Sequence, residues 1–210
     1  EHWHNQIAVS EARKKRLWKQ VIQQKIRNQA ALVEANGQEV QNMQYWADSV
    51  KKGDPDNYEA RAAAYYWKTL FVEYIERFKR GRYEADPNHL LNYGYAILRA
   101  IVARSLVSSG LLPTFGLHHR NSYNAYCLAD DVMEPYRPYV DHLVLQLVKE
   151  GNMGAELTTE MKQRLLQIPV MDVLINKKLS PLMNAVSQTT ASLYQCYISE
   201  RKTLKLPILN

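Results

Sequence analysis

Cysteine is nearly missing from this chain. Its 210 residues hold two, Cys127 and Cys196, far apart and without a CxxC spacing. Neither a disulfide framework nor a cysteine zinc site is written here, and a reducing compartment such as the cytoplasm fits. Glycine and proline are sparse as well, 8 of each, which argues against a turn-dense β fold. Long apolar runs are lacking too. The most apolar stretch, AILRAIVARSLV, is cut by Arg99 and Arg104, so no membrane-spanning segment or signal peptide is read. The chain also lacks an initiator methionine, opening at Glu1, as expected of a fragment or of a chain with a removed or disordered N-terminal part.

What is abundant points to helices. Ala, Leu, Gln, Lys, Arg and Glu dominate, with 46% hydrophobic and 23% charged residues, enough to bury a core. A nearly all-α fold is expected. Lysine and arginine exceed the acids by 27 to 21, giving a formal charge of +6 and a pI near 9.2. That balance suits an anionic partner such as nucleic acid.

Periodicity places the elements. Leu17, Val21, Ile22, Ile26, Ala30 and Val33 recur at helical spacing, predicting a long amphipathic, basic helix over about 10–36 that stops at Asn36-Gly37. A short helix is expected around 43–50. The turn KKGDPDN then offers Asp56 as a cap for a helix over about 58–80. The stretch 89–109 is apolar on nearly every face, as for a central helix packed on all sides. SSGLLPTFGLHHRNSYN reads as a structured loop, and helical spacing resumes over about 126–149, interrupted by Pro135 and Pro138. Helices follow over about 158–167 and 179–201; DVLINKKLS is a candidate extended piece and the tail KTLKLPILN reads as irregular. No repeat, low-complexity tract or second-domain boundary is visible, so 1–210 is taken as one helical domain.

Several side chains invite chemistry, each with a plainer alternative. Glu59 follows Asp56 by three residues, the spacing of a capping box. An ionised carboxylate in a first helical turn also meets a metal ligand's requirement. His118 and His119 are adjacent on a loop, so at most one faces any given site. Asp130, Asp131 and Glu134 fall within one helical turn, where they repel unless a cation joins them. A divalent metal is one candidate for that cation; a solvated face neutralised by Arg137 or a lysine is the other, and spacing leaves both open. Arg13, Lys14, Lys15, Arg16 and Lys19 cluster at the start of the first long helix, as a solvated face or as phosphate contacts. The 14 tyrosines, among them Tyr66, Tyr95, Tyr123 and Tyr126, are either core residues or platforms for unpaired bases.

Taken together, NYEARAAAYYWKTLF, LLNYGYAILRAIVARSLVSSGLLPTFGLHH and LADDVMEPYRPYVD resemble the Cas-one integrase family of CRISPR systems in order, spacing and wording. The opening SEARKKRLWKQVIQQKIRNQAALV and the closing LKLPIL resemble its type II members, so the likeness covers nearly the whole chain. The resemblance implies a helical catalytic domain whose metal ligands are Glu59, His119 and Glu134, with Asp131 orienting or supplementing the site. Mg²⁺ or Mn²⁺ is the implied cofactor. Arg137 and Asp141, four residues apart, are expected to form an ion pair. Family members carry an N-terminal β domain used for homodimer formation, and no strand-rich segment precedes the first helix here.

The implied activity is spacer acquisition: the 3′-hydroxyl of a short double-stranded DNA attacks a phosphodiester at the edge of a CRISPR repeat, with endonuclease activity from the same centre. The implied partners are prespacer and repeat DNA and a small Cas-two subunit, in a prokaryotic cytoplasm. Two rivals stand beside this reading. In a class I terpene synthase, Asp130, Asp131 and Glu134 are an aspartate-rich diphosphate motif, but no second metal motif follows downstream. In a helical DNA-binding scaffold, the acids only cap and solvate.

Overall fold

The structure, a computed structural model, describes residues 2–153 and 156–210. Helices α1 (His2–Ile7), α2 (Glu11–Ala35), α3 (Gln41–Ser49) and α4 (Tyr58–Thr69) come first in the chain. Then follow α5 (Asn88–Ser108), α6 (Cys127–Met133), α7 (Arg137–Lys149), α8 (Thr159–Leu165) and α9 (Leu182–Tyr197). Three short strands, β1 (Asp172–Ile175), β2 (Lys178–Pro181) and β3 (Pro207–Ile208), and 3₁₀ turns at Glu134–Tyr136 and Ile168–Val170 complete the described elements.

Two helices set the frame. α2 begins where the Ser10 side chain accepts the Arg13 amide and ends where Gly37 adopts φ 76°, a left-handed conformation that glycine takes without steric penalty. Its buried stripe of Leu17, Val21, Ile22, Ile26 and Val33 packs against α3, α4, α6 and α7. α5 lies at the centre against α6, α7 and α9. With 21 residues and a mean hydropathy of 1.2, it is long and apolar enough to cross a membrane, and Leu90, Leu91, Leu98, Val102 and Leu106 spend that apolarity on the protein's own core. α5 and α7 approach closely at Gly94, where a Cβ would stand 2.5 Å from Val140 Cγ1.

The structure corrects the all-α expectation: a small antiparallel sheet of order β2-β1-β3 covers one side of α9. DVLINKKLS forms a hairpin, with Val173 opposite Ser180 and Ile175 opposite Lys178. Asn176 and Lys177 turn it with φ 52° and 63°, the left-handed pair that matches strand twist in two-residue hairpins. The tail read as irregular supplies β3, pairing Ile208 with Leu174 and Pro207 with Ile175.

α4 stops at Thr69 instead of running to Arg80. Beyond Thr69 the aromatics fold back on one another, Phe78 on Trp67 at 5.6 Å and on Phe71 at 4.7 Å between ring centroids. Arg80 draws the chain away from the helix axis by donating to Asn88 and Asn92 at 2.8 Å each. The last helix starts at Leu182, because 179–181 belong to β2, and ends at Tyr197, so it is shorter at both ends than expected.

Candidate functional site

Three acids that sequence spacing grouped within one helical turn are dealt to three different partners. Asp130 turns toward α5, accepting from Arg99 Nε at 2.7 Å and from Asn124 Nδ2 at 2.7 Å. Asp131 is fully buried and gathers the loop before it: the His118 amide donates to it at 2.9 Å, the His119 amide at 3.4 Å, and His119 Nδ1 pairs with Oδ1. Glu134 points at α2. The three therefore share no single face, and an aspartate-rich diphosphate motif is not assembled.

Glu134 lies in the 3₁₀ turn Glu134–Tyr136 between α6 and α7, where Pro135 and Pro138 remove two amide donors and break the helical ladder. Its Oε2 stands 2.5 Å from Lys25 Nζ, and its Oε1 stands 2.9 Å from Arg137 Nε. The same lysine donates to Glu59 Oε1 at 2.7 Å. Lys25 therefore bridges the two carboxylates from a buried position on α2. Burial opposes its charge, but Glu134 and Glu59 outweigh that and hold its pKa above the ordinary lysine range. Burial likewise pushes Glu134 up, and Arg137 and Lys25 overcome it, so its carboxyl sits below the usual range. Both groups are charged at neutral pH.

Glu59 is positioned by a cap other than the expected one. Asp54 accepts the amides of Tyr58 and Glu59 at 2.9 Å each, Asn57 takes the left-handed φ of 54°, and Asp56 pairs with Lys51 at 3.2 Å. With the first turn capped by Asp54, the Glu59 carboxylate faces Lys25. Arg137 and Asp141 do not form the expected ion pair: Arg137 pairs with Glu134, and Asp141 accepts the hydroxyls of Tyr66, at 2.6 Å, and Tyr95.

The two histidines separate as adjacent side chains must. His118 stacks on Trp18 of α2 at 4.5 Å and an interplanar angle of 2°, while His119 meets the edge of Trp18 at 5.8 Å. Gly116 makes the turn feasible, since a Cβ there would lie 2.4 Å from the His119 carbonyl and 2.8 Å from Asp131 Oδ2. His119 is half-exposed, and its pKa is raised by its bond to Asp131, with smaller contributions from Glu134 and Glu59. With Nδ1 committed to Asp131, Nε2 is the nitrogen left to meet a ligand, the arrangement of metal-binding histidines held by a carboxylate.

Whether this set suits a divalent cation can be judged from its donors. Among the described residues, no three His, Cys, Asp or Glu side chains are gathered tightly enough to hold a metal as they stand. Yet Glu59 and Glu134 already share one cation, the Lys25 ammonium, and an oriented imidazole lies within reach of their field. Two carboxylates and one imidazole suit Mn²⁺ or Mg²⁺ once Lys25 withdraws. Lys25 was missed in the sequence because it lies on a face read as apolar, and its only signal is a lysine breaking the stripe between Ile22 and Ile26.

An open groove of about 730 Å³ leads to this centre, lined by Arg80, Arg82, Tyr83, Tyr95, Arg99 and Arg137. It shares Arg80, Tyr95 and Arg137 with a smaller cavity that reaches Lys25 and Glu134. Tyr83, 91% exposed, and the half-exposed Arg99 stand at its rim. The basic cluster of the first long helix divides: Lys14 pairs with Glu11 at 3.4 Å, Lys15 packs over Gly53, and Arg13 and Arg16 line a separate cavity.

Comparison with known proteins matches residues 2–176 to the family described as CRISPR associated protein Cas1. The CRISPR-associated endonuclease Cas1 of Neisseria meningitidis serogroup C is 39% identical over 206 residues, 96% of this chain and 66% of that protein. A Cas1 endonuclease of Pyrobaculum aerophilum is 36% identical over 117 residues, 54% of this chain and 39% of that protein. The chain thus spans just under two thirds of the Neisseria relative and less of the second. Among solved structures, a CAS1 protein from Thermotoga maritima superimposes with a TM-score of 0.78 at 18% identity, covering 96% of this chain and 69% of that one. A Cas6-RT-Cas1–Cas2 complex gives 0.79 at 21% identity, covering 96% and 26%. A casposase bound to integration product gives 0.73 at 21% identity, covering 91% and 66%.

Proposed function

The chain belongs to the Cas1 family, and from that membership we propose that it carries the catalytic centre of a CRISPR adaptation integrase that joins short double-stranded DNA to a repeat. The observation that carries the reading is the pair of glutamates, Glu59 and Glu134, held around one cation beside an imidazole whose far nitrogen is free. Glu59, His119 and Glu134 are the proposed ligands of Mg²⁺ or Mn²⁺. Bound there, the metal supplies Lewis-acid polarisation of a phosphate oxygen and favours the attacking alkoxide.

The chain's own residues supply the rest. Asp131 fixes the His119 ring through Nδ1. Arg137, anchored by Glu134 and lying over the Tyr95 ring at 4.6 Å from its centroid, offers fixed guanidinium donors beside the centre, where charge develops on the phosphate. The groove of Arg80, Arg82 and Arg99 suits a nucleic-acid backbone, and Tyr83 suits stacking on an unpaired base. In the reaction, the donor 3′-oxygen forms a bond to a target phosphorus as the target's own 3′-oxygen leaves. The attacking hydroxyl loses a proton and the departing one gains it. With water as the nucleophile, the same geometry gives endonuclease hydrolysis.

The casposase carrying integration product and the Cas1–Cas2 complex support the same reading by fold. A Cas2-type subunit, a homodimer and a prokaryotic cytoplasmic setting belong to the proposal. Its test supplies a supercoiled repeat target with 3′-hydroxyl or 3′-blocked donor DNA and Mn²⁺ or Mg²⁺. Strand transfer is expected from the hydroxyl donor alone. His119→Ala is expected to abolish transfer while DNA binding persists; unchanged transfer by that variant, or products from the blocked donor, would overturn the assignment.

A further inference from the structure

Away from the carboxylate centre, the geometry points to a second site: the cavity between the start of α2 and the end of α9 seats one backbone phosphate of bound nucleic acid. This rests on the nucleic-acid reading above. The cavity measures about 130 Å³ and is lined by Arg13, Arg16, Arg201, Lys202, Ser199 and Cys196. Four cationic side chains therefore converge on one small space, and no carboxylate lines it. None of the four forms an ion pair with a described carboxylate, whereas Arg27, Arg99, Arg120, Arg137 and Arg164 all do. Like charges gathered without a counter-charge raise the energy of the empty site, and an anion relieves it.

Two of the donors are also held in place. Arg13 Nη1 donates to the Tyr197 carbonyl at 2.6 Å, and Arg201 Nε donates to the Thr203 carbonyl at 2.8 Å. Each guanidinium keeps further N–H groups for a ligand, and little freedom is lost when they engage one. Charge selects the ligand. A space of about 130 Å³ lined by four cationic residues and no carboxylate admits a tetrahedral oxyanion together with water. What enters is a phosphate whose chain continues outside.

Position separates this site from the reacting one. Arg16 and Lys25 lie nine residues apart on α2, about 14 Å along the axis and half a turn around it. Trp18, nearly in line with Lys25, marks the histidine face instead. The phosphate bound by Arg13, Arg16, Arg201 and Lys202 is accordingly a different one from that beside Lys25 and the two glutamates.

The experiment uses the exposed pair. In Arg16→Gln/Lys202→Gln, binding of a duplex with 3′ overhangs is measured between 50 and 200 mM salt, beside wild type and a Lys162→Gln control on α8. Loss of one phosphate contact makes the slope of log K against log salt shallower by about one, so wild-type affinity falls about threefold further than the variant's across that range. Equal slopes in wild type and variant overturn the site. An equal change in Lys162→Gln also overturns it, since the effect is then the protein's general charge.

Inorganic sulfate at constant ionic strength probes the alternative source. Wild-type stabilisation by sulfate, lost in the double variant while DNA affinity is unchanged, identifies a free-anion site and overturns the nucleic-acid assignment. Strand transfer by wild type with unchanged slopes removes this inference alone. A changed slope without strand transfer leaves the phosphate site standing and removes the integrase reading. Absence of DNA binding by wild type ends both.

Discussion

Lys25 decides the electrostatics of the carboxylate centre. It is a buried cation between two acids, and removing one partner of a buried ion pair costs about 3–5 kcal/mol because the remaining charge is left uncompensated. Lys25→Met is expected to destabilise the metal-free protein by that order. Mn²⁺ should then raise the melting temperature of the variant more than that of wild type, since no ammonium has to leave. Equal metal-induced shifts in EDTA-treated samples would show that Lys25 and a divalent cation do not compete. Asp141 offers a second test. Burial pushes its carboxyl from 3.8 up to about 6, against the pull of Tyr66, Tyr95 and Arg137. The folded state therefore binds more protons than the unfolded one between about pH 4 and pH 6. The contribution is complete below the unfolded pKa and disappears as pH rises through the folded one, a change of about 3 kcal/mol. Urea unfolding across that window should show wild type losing stability relative to Asp141→Asn; parallel curves would mean an ordinary carboxyl.

Helices whose backbones approach closely tolerate little at the contact. Gly94 of α5 has Val140 Cγ1 2.5 Å from the position of a Cβ, with Ile168 and Leu165 side chains at 3.5 Å. Alanine is the better helix former by about 1 kcal/mol, yet overpacking costs about 1–3 kcal/mol. Gly94→Ala is expected to be destabilised in chemical denaturation, and a stabilised variant would mean that α5 and α7 are not so tightly apposed. The same scale explains why the α4 boundary was misplaced. Its apolar period continues past Thr69, and only the fold-back of Phe71 and Phe78 onto Trp67, with Arg80 held by Asn88 and Asn92, shows that the residues are spent in a turn. By contrast α2 and α5 carry long uninterrupted periods and were legible.

The whole molecule is closed by Asn28. Its Nδ2 donates to the carbonyls of Pro135 at 2.8 Å and Pro207 at 3.1 Å, and its Oδ1 accepts the Leu209 amide at 3.1 Å. One side chain thus joins α2, the turn that carries Glu134 and the last strand. Asn28→Ala orphans more than one buried group at about 1–3 kcal/mol each, so a loss of about 2–4 kcal/mol is expected. The tail from Leu206 onward should become open to limited proteolysis, and a protected tail at unchanged stability would show that β3 is held by its strand pairing instead. At this scale the sequence by itself determined the helical composition, the order of the principal helices, the loop that bears both histidines and the resemblance that singled out Glu59, His119 and Glu134. Those properties depend on spacing along the chain. Tertiary structure alone decided that Asp130, Asp131 and Glu134 serve three different partners, that Lys25 stands between the two glutamates, and that residues 207–208 join a sheet. Most of these contacts join residues far apart in the chain, and no period along it records which distant charge a buried side chain will meet.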